Sequence, residues 1–501
     1  MNRRQFLSRT SALAATSLLP AASLQAEPKS NGKESWLSLL GRNLNDEHDY
    51  IAQIEGKMPA DLRGRLLRNG PGIFERNGVH KGSVLDGDGM IQAFDLGDSK
   101  ARYRNKFVRT EKFVEEEKLG RFNYATWCTR KPGGWTANIG LPNMKSQAGV
   151  TTVVRNGEVM ALDEVGFPHR LDYETLETIG SENFETELTN LKAHTKFDPE
   201  TGEWLMFGDI AGANPKVVFL ARGHDGQVTT EWSHDLPRSS YMHDFFVTRK
   251  WVVFVLHPAK ANLVRFLGGI DSFAESLRWS AKDGNILMIC DRAGKLPPSF
   301  IESDARYMWH SVNAYELGEE IVAEFVGYDD PDHFIGEDPA YWAIMEGRQM
   351  KTNNSGEVRR YRINVASSKL SEEVVYAGNC EFPAINPIQA MTPHSSVFVA
   401  DARPETIFHH KLTRIDMKSG KSENFDFGSG FQIGEPVFAS RQSNGNPNAG
   451  YVMTIVLDGT KGRSLLAIFD AERVAEGPLA KVHLTHHTPL SFHGWWQPAE
   501  A

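Results

Sequence analysis

From about residue 60 onward the chain is a succession of short β-type runs separated by turn residues, and this pattern persists for more than 400 residues. Representative runs are Gly64 to Arg68, Trp204 to Phe207, Trp251 to Leu256, Ile286 to Ile289 and Tyr451 to Val456. Turn dipeptides such as Asn156-Gly157, Thr201-Gly202 and Asp458-Gly459 punctuate them. Long helices are few: the pattern predicts one from Lys112 to Leu119 and a second near Asp271 to Ser276. Short strands at near-regular spacing imply a large all-β fold. So many strands must also hide their edges. A propeller does this by arranging its sheets radially. No sharp repeat marks individual blades, which excludes a propeller with strict repeat signatures. Periodicity alone leaves a large β-sandwich assembly open.

Composition narrows the partners. Of 501 residues, 40% are hydrophobic and 24% charged, as in ordinary soluble globular proteins. The net charge of -9, without a basic block, argues against nucleic acid, because phosphate binding needs clustered Lys and Arg. Cys128, Cys290 and Cys380 are widely spaced and offer neither a zinc-knuckle spacing nor a disulfide framework. The N-terminus reads Asn2-Arg3-Arg4-Gln5-Phe6-Leu7, followed by an apolar run from Ala12 to Ala22. This twin-arginine pattern predicts a Tat-type signal over residues 1–26, cleaved near Ala26, and a periplasmic or secreted protein. A polar surface segment over 27–59 and a single large domain over 60–501 are expected to follow.

Four of the 17 histidines stand at the edges of β-type runs, inside apolar or tightly turned segments. They are His194 in Ala193-His194-Thr195, His243 in Met242-His243-Asp244, His310 in Trp309-His310-Ser311, and His493 in Phe492-His493-Gly494. The gaps of 49, 67 and 183 residues exclude a local helical metal motif and suit ligands from different blades meeting on one axis. Four neutral imidazoles would leave a divalent ion its full charge, unlike the facial triad of two His and one carboxylate. Such a shell needs carboxylates behind the rings to fix their tautomers. Glu164, Glu381 and Glu435 are the candidates, the last two beside Pro and apolar neighbours.

Taken in order, these segments resemble the carotenoid cleavage oxygenase family. The matching motifs begin with Leu67-Arg68-Asn69-Gly70-Pro71 and Asp86-Gly87-Asp88-Gly89-Met90. They continue through the four histidine segments, Glu381-Phe382-Pro383 and Glu435-Pro436-Val437-Phe438. The resemblance implies a seven-bladed β-propeller with a helical lid on its top face. It implies iron(II), Fe(2+), bound by His194, His243, His310 and His493, with Glu164, Glu381 and Glu435 behind them. The implied reaction is oxidative scission of a conjugated carbon–carbon double bond by O2, giving aldehyde or ketone fragments, on an apolar alkene held in a tunnel. The lid of such a fold is also a candidate for peripheral membrane contact.

Three functional readings follow. The first is a dioxygenase acting on a carotenoid or apocarotenoid, which the segment Thr126 to Gly134 resembles most. The second keeps the chemistry and moves to stilbenes or phenylpropenes. Phenol-cleaving relatives carry Lys immediately before the first of the three glutamates, and here that position is Asp163. The third is a propeller that binds or isomerises a hydrophobic ligand without scission. Counting back from Glu164 places Val150 where the family has a small side chain near the metal. Other suggestive motifs read as structure. The Asp86–Met90 loop lacks an EF-hand's spacing, and Gly420-Lys421-Ser422 lacks the first glycine of a phosphate loop. His486 and His487, being adjacent, cannot both face one metal from a strand.

Overall fold

The computed structural model describes residues 36–499, apart from 183, 185, 187, 189, 211, 213, 349–350, 405 and 442–444. The expected signal over 1–26 lies outside the described residues. The remainder folds into seven antiparallel sheets arranged as the blades of a propeller. Blades two to six are four-stranded and sequential. They span residues 151–181, 196–235, 246–303, 307–376 and 380–426.

The first and seventh blades close the ring, because each mixes strands from both ends of the chain. Gly64–Ile73 in blade one pairs with Gly494–Pro498, Leu66 facing Trp496. In blade seven Gln53–Gly56 pairs with Ala480–His483. Of the surface segment expected over 27–59, the described residues 36–59 are therefore built into the fold, and 27–35 lie outside the described residues. Asp49–Ile51 pairs with Lys100–Phe107, and Leu37, Leu39 and Leu40 are buried. Polar neighbours conceal these three leucines in the sequence, and the apolar face that they form is needed to cover Val84, Ile344 and Phe408.

Burial explains why the sequence runs look as they do. Gly450–Asp458 lies between neighbouring sheets and is buried at every position, so it reads as a continuous apolar run. Val228–Asp235 forms an outer edge and alternates between exposed and half-buried residues. The helix at Glu111–Leu119 starts where Thr110 accepts the Phe113 N–H and ends at Gly120 in the left-handed region, φ 63°. It belongs with the short helices Leu263–Leu267, Phe273–Ser276 and Ala340–Ala343 to the loops that extend from the blades. No described helix is long and apolar enough to cross a membrane.

Candidate metal centre

His194, His243 and His493 immediately precede or closely approach the edge strands Lys196–Phe197, Phe246–Val247 and Gly494–Pro498, and His310 sits within Tyr307–Leu317. These four strands belong to four different blades. The strand carrying His310 breaks register between Met308 and Ser311, which turns the imidazole out of the ladder. One ring nitrogen from each histidine lies within 4.8 Å of the others, and all four rings are buried. The His194 ring centroid is 4.5, 4.9 and 4.4 Å from those of His243, His310 and His493.

Each predicted glutamate stands behind one ring. Glu435 Oε1 is 2.8 Å from His493 Nδ1, Glu381 Oε2 pairs closely with His310 Nδ1, and Glu164 Oε1 is 2.8 Å from His243 Nδ1. The Tyr241 hydroxyl lies 3.0 Å from that same His243 nitrogen. A ring that gives Nδ1–H to a carboxylate keeps its Nε2 lone pair for the centre. His310 Nε2 has no hydrogen-bond partner among the described residues, and the Nε2 atoms of His194 and His243 are 3.0 Å apart. Several lone pairs crowded together without enough protons are what a divalent cation satisfies, and imidazole nitrogen suits zinc, copper, nickel and iron.

Electrostatics favour neutral imidazoles at His194 and His493 and work the other way at His310. Burial, helped by the neighbouring imidazoles, holds His194 well below the usual histidine range. Burial takes His493 down to about 4 although Glu435 opposes it. At His310 burial disfavours charge, but the Glu381 carboxylate outweighs it and raises the value. Burial works against the Glu381 and Glu435 carboxylates too, and both are nevertheless lowered, by His310 and by His493 with Arg68 respectively.

Four residues that sequence reasoning passed over hold this arrangement together. Asp244 accepts from Ser311 N and Oγ, each at 2.8 Å, and pairs with Lys196 at 2.8 Å. It thereby ties together the segments that carry His194, His243 and His310. Arg68, 1% exposed, pairs with Glu435 at 2.8 Å and donates to the Phe492 carbonyl at 2.7 Å. Lys192 lies 3.2 Å from Asp209 and 3.9 Å from Glu164. Tyr241 and Lys192 each stand two residues before a histidine, so period-two spacing was the available signal for both.

The centre opens into a cavity walled by Trp127, Val150, Tyr241, Trp309, Phe382 and Phe492. Val150, whose carbonyl accepts the His493 N–H at 3.2 Å, is thus beside the centre. Phe382 stacks 5.2 Å from His310 and holds a positive φ of 55°, a strained conformation for a phenylalanine. Trp309 stands edge-on to His243 at 4.8 Å, with its indole N–H fixed by His333 at 2.8 Å.

Asp163 also lines this cavity, accepting from Gln147 N at 2.6 Å and Glu164 N at 2.8 Å. Burial pushes its carboxyl up to about 6 despite those two donors. The folded protein therefore holds this proton more tightly than the unfolded chain does. The associated stability is present below the ordinary carboxylate range and is lost as pH rises through about 6. Asp163→Asn is expected to gain thermal midpoint relative to the parent between about pH 4.5 and 7.5. Calorimetry at both values checks this, and an unchanged difference refutes it.

The remaining motifs are structural. Asp86 accepts from Thr126 Oγ1 at 2.8 Å and Cys128 N at 3.1 Å, and Asp88 pairs with Lys112 at 2.6 Å and Arg76 at 2.8 Å. Gly420 to Ser422 is the turn between strands Lys411–Asp416 and Ser422–Asp426. The His486 ring stacks on His48 at 4.2 Å, away from the centre. All three cysteines are buried thiols.

Comparisons with known proteins agree with this geometry. The family profile described as retinal pigment epithelial membrane protein matches residues 41–498. The chain is 26% identical to the apocarotenoid-15,15'-oxygenase of Synechocystis sp., covering 93% of this chain and 97% of that one. It is 25% identical to an isoeugenol monooxygenase of Pseudomonas nitroreducens, over 90% of this chain and 95% of that one. It is 26% identical to resveratrol cleavage oxygenase 1 of Chaetomium globosum, over 89% and 84%. The crystal structure of cobalt-substituted Synechocystis apocarotenoid oxygenase superposes with a TM-score of 0.87 at 26% identity, covering 93% of this chain and 98% of that chain. With the seven blades and the four-histidine centre in place, the profile match over nearly the whole folded chain makes this protein a member of the carotenoid cleavage oxygenase family.

Proposed function

We propose that this enzyme is a dioxygenase that holds iron(II) through His194, His243, His310 and His493 and cleaves a conjugated double bond of a carotenoid or apocarotenoid with O2. The observation that carries this reading is four buried imidazoles, three of them backed by carboxylates, facing an aromatic and aliphatic cavity. Iron bound there would supply the redox chemistry that brings O2 and an alkene together. The protein's own work is orientation. Glu164, Glu381 and Glu435 fix the rings, and the cavity walls exclude water and align one double bond. No protein nucleophile or acid–base residue is required.

A lipophilic substrate is supported by the surface. Leu141 and Val264 are 85% and 81% exposed, and Trp135, Ile139, Leu263 and Ile270 are exposed beside them. Backbone contact from Gly140 N to Leu267 O at 2.8 Å joins the two segments into one apolar patch, and Arg130 donates to the Gly269 carbonyl at 3.1 Å beside it. Phe266 in this patch meets Phe273 at 5.8 Å, and Phe273 walls a second cavity that reaches Trp127 and Glu164. The patch is proposed to rest on a bilayer surface. The parent is expected to float with anionic phospholipid vesicles, and Leu141→Asp with Val264→Asp to reduce the bound fraction several-fold. Equal flotation of both would refute it. The twin-arginine segment is consistent with export, which a fractionation of cells expressing the full chain would test.

Product mass spectrometry under labelled O2 tests the reaction. Iron-loaded protein would be given apocarotenals, a carotenoid and hydroxystilbenes. Paired, labelled carbonyl fragments from a polyene support the proposal. Fragments from stilbenes alone transfer it to aryl alkenes, the substrates named for two of the relatives. Unlabelled or uncleaved products refute scission by O2.

A further inference from the structure

Beyond Phe382 the cavity ends in two polar side chains that no part of the metal centre uses. His409 and Gln432 both line it, and they are 7% and 5% exposed. The remaining wall at this end is apolar, formed by Leu40, Ile344, Ile407 and Leu490. Gln432 gives its Nε2–H to the Ile433 carbonyl at 2.8 Å. That bond fixes the amide's orientation and leaves Oε1 as a buried acceptor without a partner among the described residues. Neither ring nitrogen of His409 hydrogen-bonds another described residue. Burial holds this imidazole near 4, so it is neutral and carries one N–H donor and one acceptor. The His409 ring meets the Phe382 ring edge-on at 6.2 Å, and Phe382 in turn stacks on His310 at 5.2 Å. The two polar groups therefore stand one aromatic ring beyond the metal ligands.

We propose that His409 and Gln432 form a subsite for a hydroxyl group on the end of the alkene substrate, receiving its proton at Gln432 Oε1 and donating to its oxygen from His409. A hydroxyl is the group that satisfies both. A terminal aldehyde or ketone only accepts and would leave Gln432 Oε1 unpaired. A carboxylate would set a second negative charge against that oxygen and near Glu381. An unsubstituted hydrocarbon end would bury both polar groups against carbon. The subsite rests on the proposed function in that its ligand is the alkene to be cleaved, and it adds the chemistry of that alkene's far end.

The test uses two matched pairs, a ring-hydroxylated apocarotenal with its deoxy counterpart and para-hydroxystilbene with stilbene. Each is measured for kcat/KM with iron-loaded enzyme and for Kd by tryptophan quenching without O2. The hydroxylated member of the pair that binds is expected to be favoured about 10–100-fold in both quantities. Gln432→Met and His409→Phe, which keep side-chain volume, are each expected to collapse that ratio towards one. A parent enzyme that does not distinguish the members overturns the proposal, as does a preference that survives both substitutions. The two readings separate cleanly. Hydroxyl-selective binding without carbonyl products keeps the subsite and rejects scission. Carbonyl products without hydroxyl selectivity keep scission and reject the subsite.

Discussion

His243→Ala is expected to abolish activity, with a loss of at least about 10³-fold, and to leave the purified protein substoichiometric in iron. Removing a carboxylate behind a ring loosens a ligand and costs about 10–100-fold, whereas removing the ring deletes a donor outright. His243 is the most exacting position to test. It faces His194 at 3.0 Å between Nε2 atoms and carries both Glu164 and Tyr241 on its far nitrogen. The alanine variant would also strand Glu164, whose remaining cation, Lys192, is 3.9 Å away. Metal analysis paired with the alkene assay checks the expectation. Full iron content and full turnover in this variant would refute the assignment of the centre.

Arg68→Met is expected to destabilise the fold by about 3–5 kcal/mol, the range for breaking a buried ion pair from one side. The guanidinium is 1% exposed and makes four contacts to residues more than 360 positions away: the Glu435 carboxylate and carbonyl, Ser491 Oγ and the Phe492 carbonyl. Its loss leaves Glu435 charged and, among the described residues, paired with His493 and the Gly494 N–H alone. The pairing of Arg68→Met with Glu435→Gln removes the stranded charge and is expected to recover part of the stability while iron affinity stays weakened. Denaturation midpoints of the single and double variants measure this. A single variant as stable as the parent would show that the pair contributes nothing.

Both expectations concern groups that sequence reading treated unequally. The four histidines, Glu381 and Glu435 were legible because each sits in a short, distinctive segment whose order along the chain carried the information, whereas Glu164 was placed through the family resemblance. Arg68 was visible only as part of Leu67-Arg68-Asn69-Gly70-Pro71, since its partner Glu435 is 367 residues away. Asp244 links three blades through Lys196 and Ser311, and no spacing within one segment announces that. The strand pattern conveyed an all-β chain but not seven blades, because buried inner strands and half-exposed outer strands follow different periods in the same blade. The positive φ of Phe382 was hidden for a different reason: no glycine marks it, and its ring is held by packing against His310, His493 and His409 from distant segments. Residues 36–56 looked like a surface leader because two short edge strands and three buried leucines are diluted by polar neighbours.

The double closure of the ring sets an order of events for the newly made chain. Strand Gly64–Ile73 is synthesised early and waits for Gly494–Pro498, with more than 400 residues intervening. His493 immediately precedes that last strand, so a nascent or C-terminally truncated chain can offer three imidazoles and never four. Complete ligation becomes possible only when Gly494–Pro498 seals blade one. The ion that the four rings would share then acts as a fastener between strands Gly64–Ile73 and Gly494–Pro498, and a protease cut or a stop codon before residue 490 would open the ring and empty the centre in a single stroke.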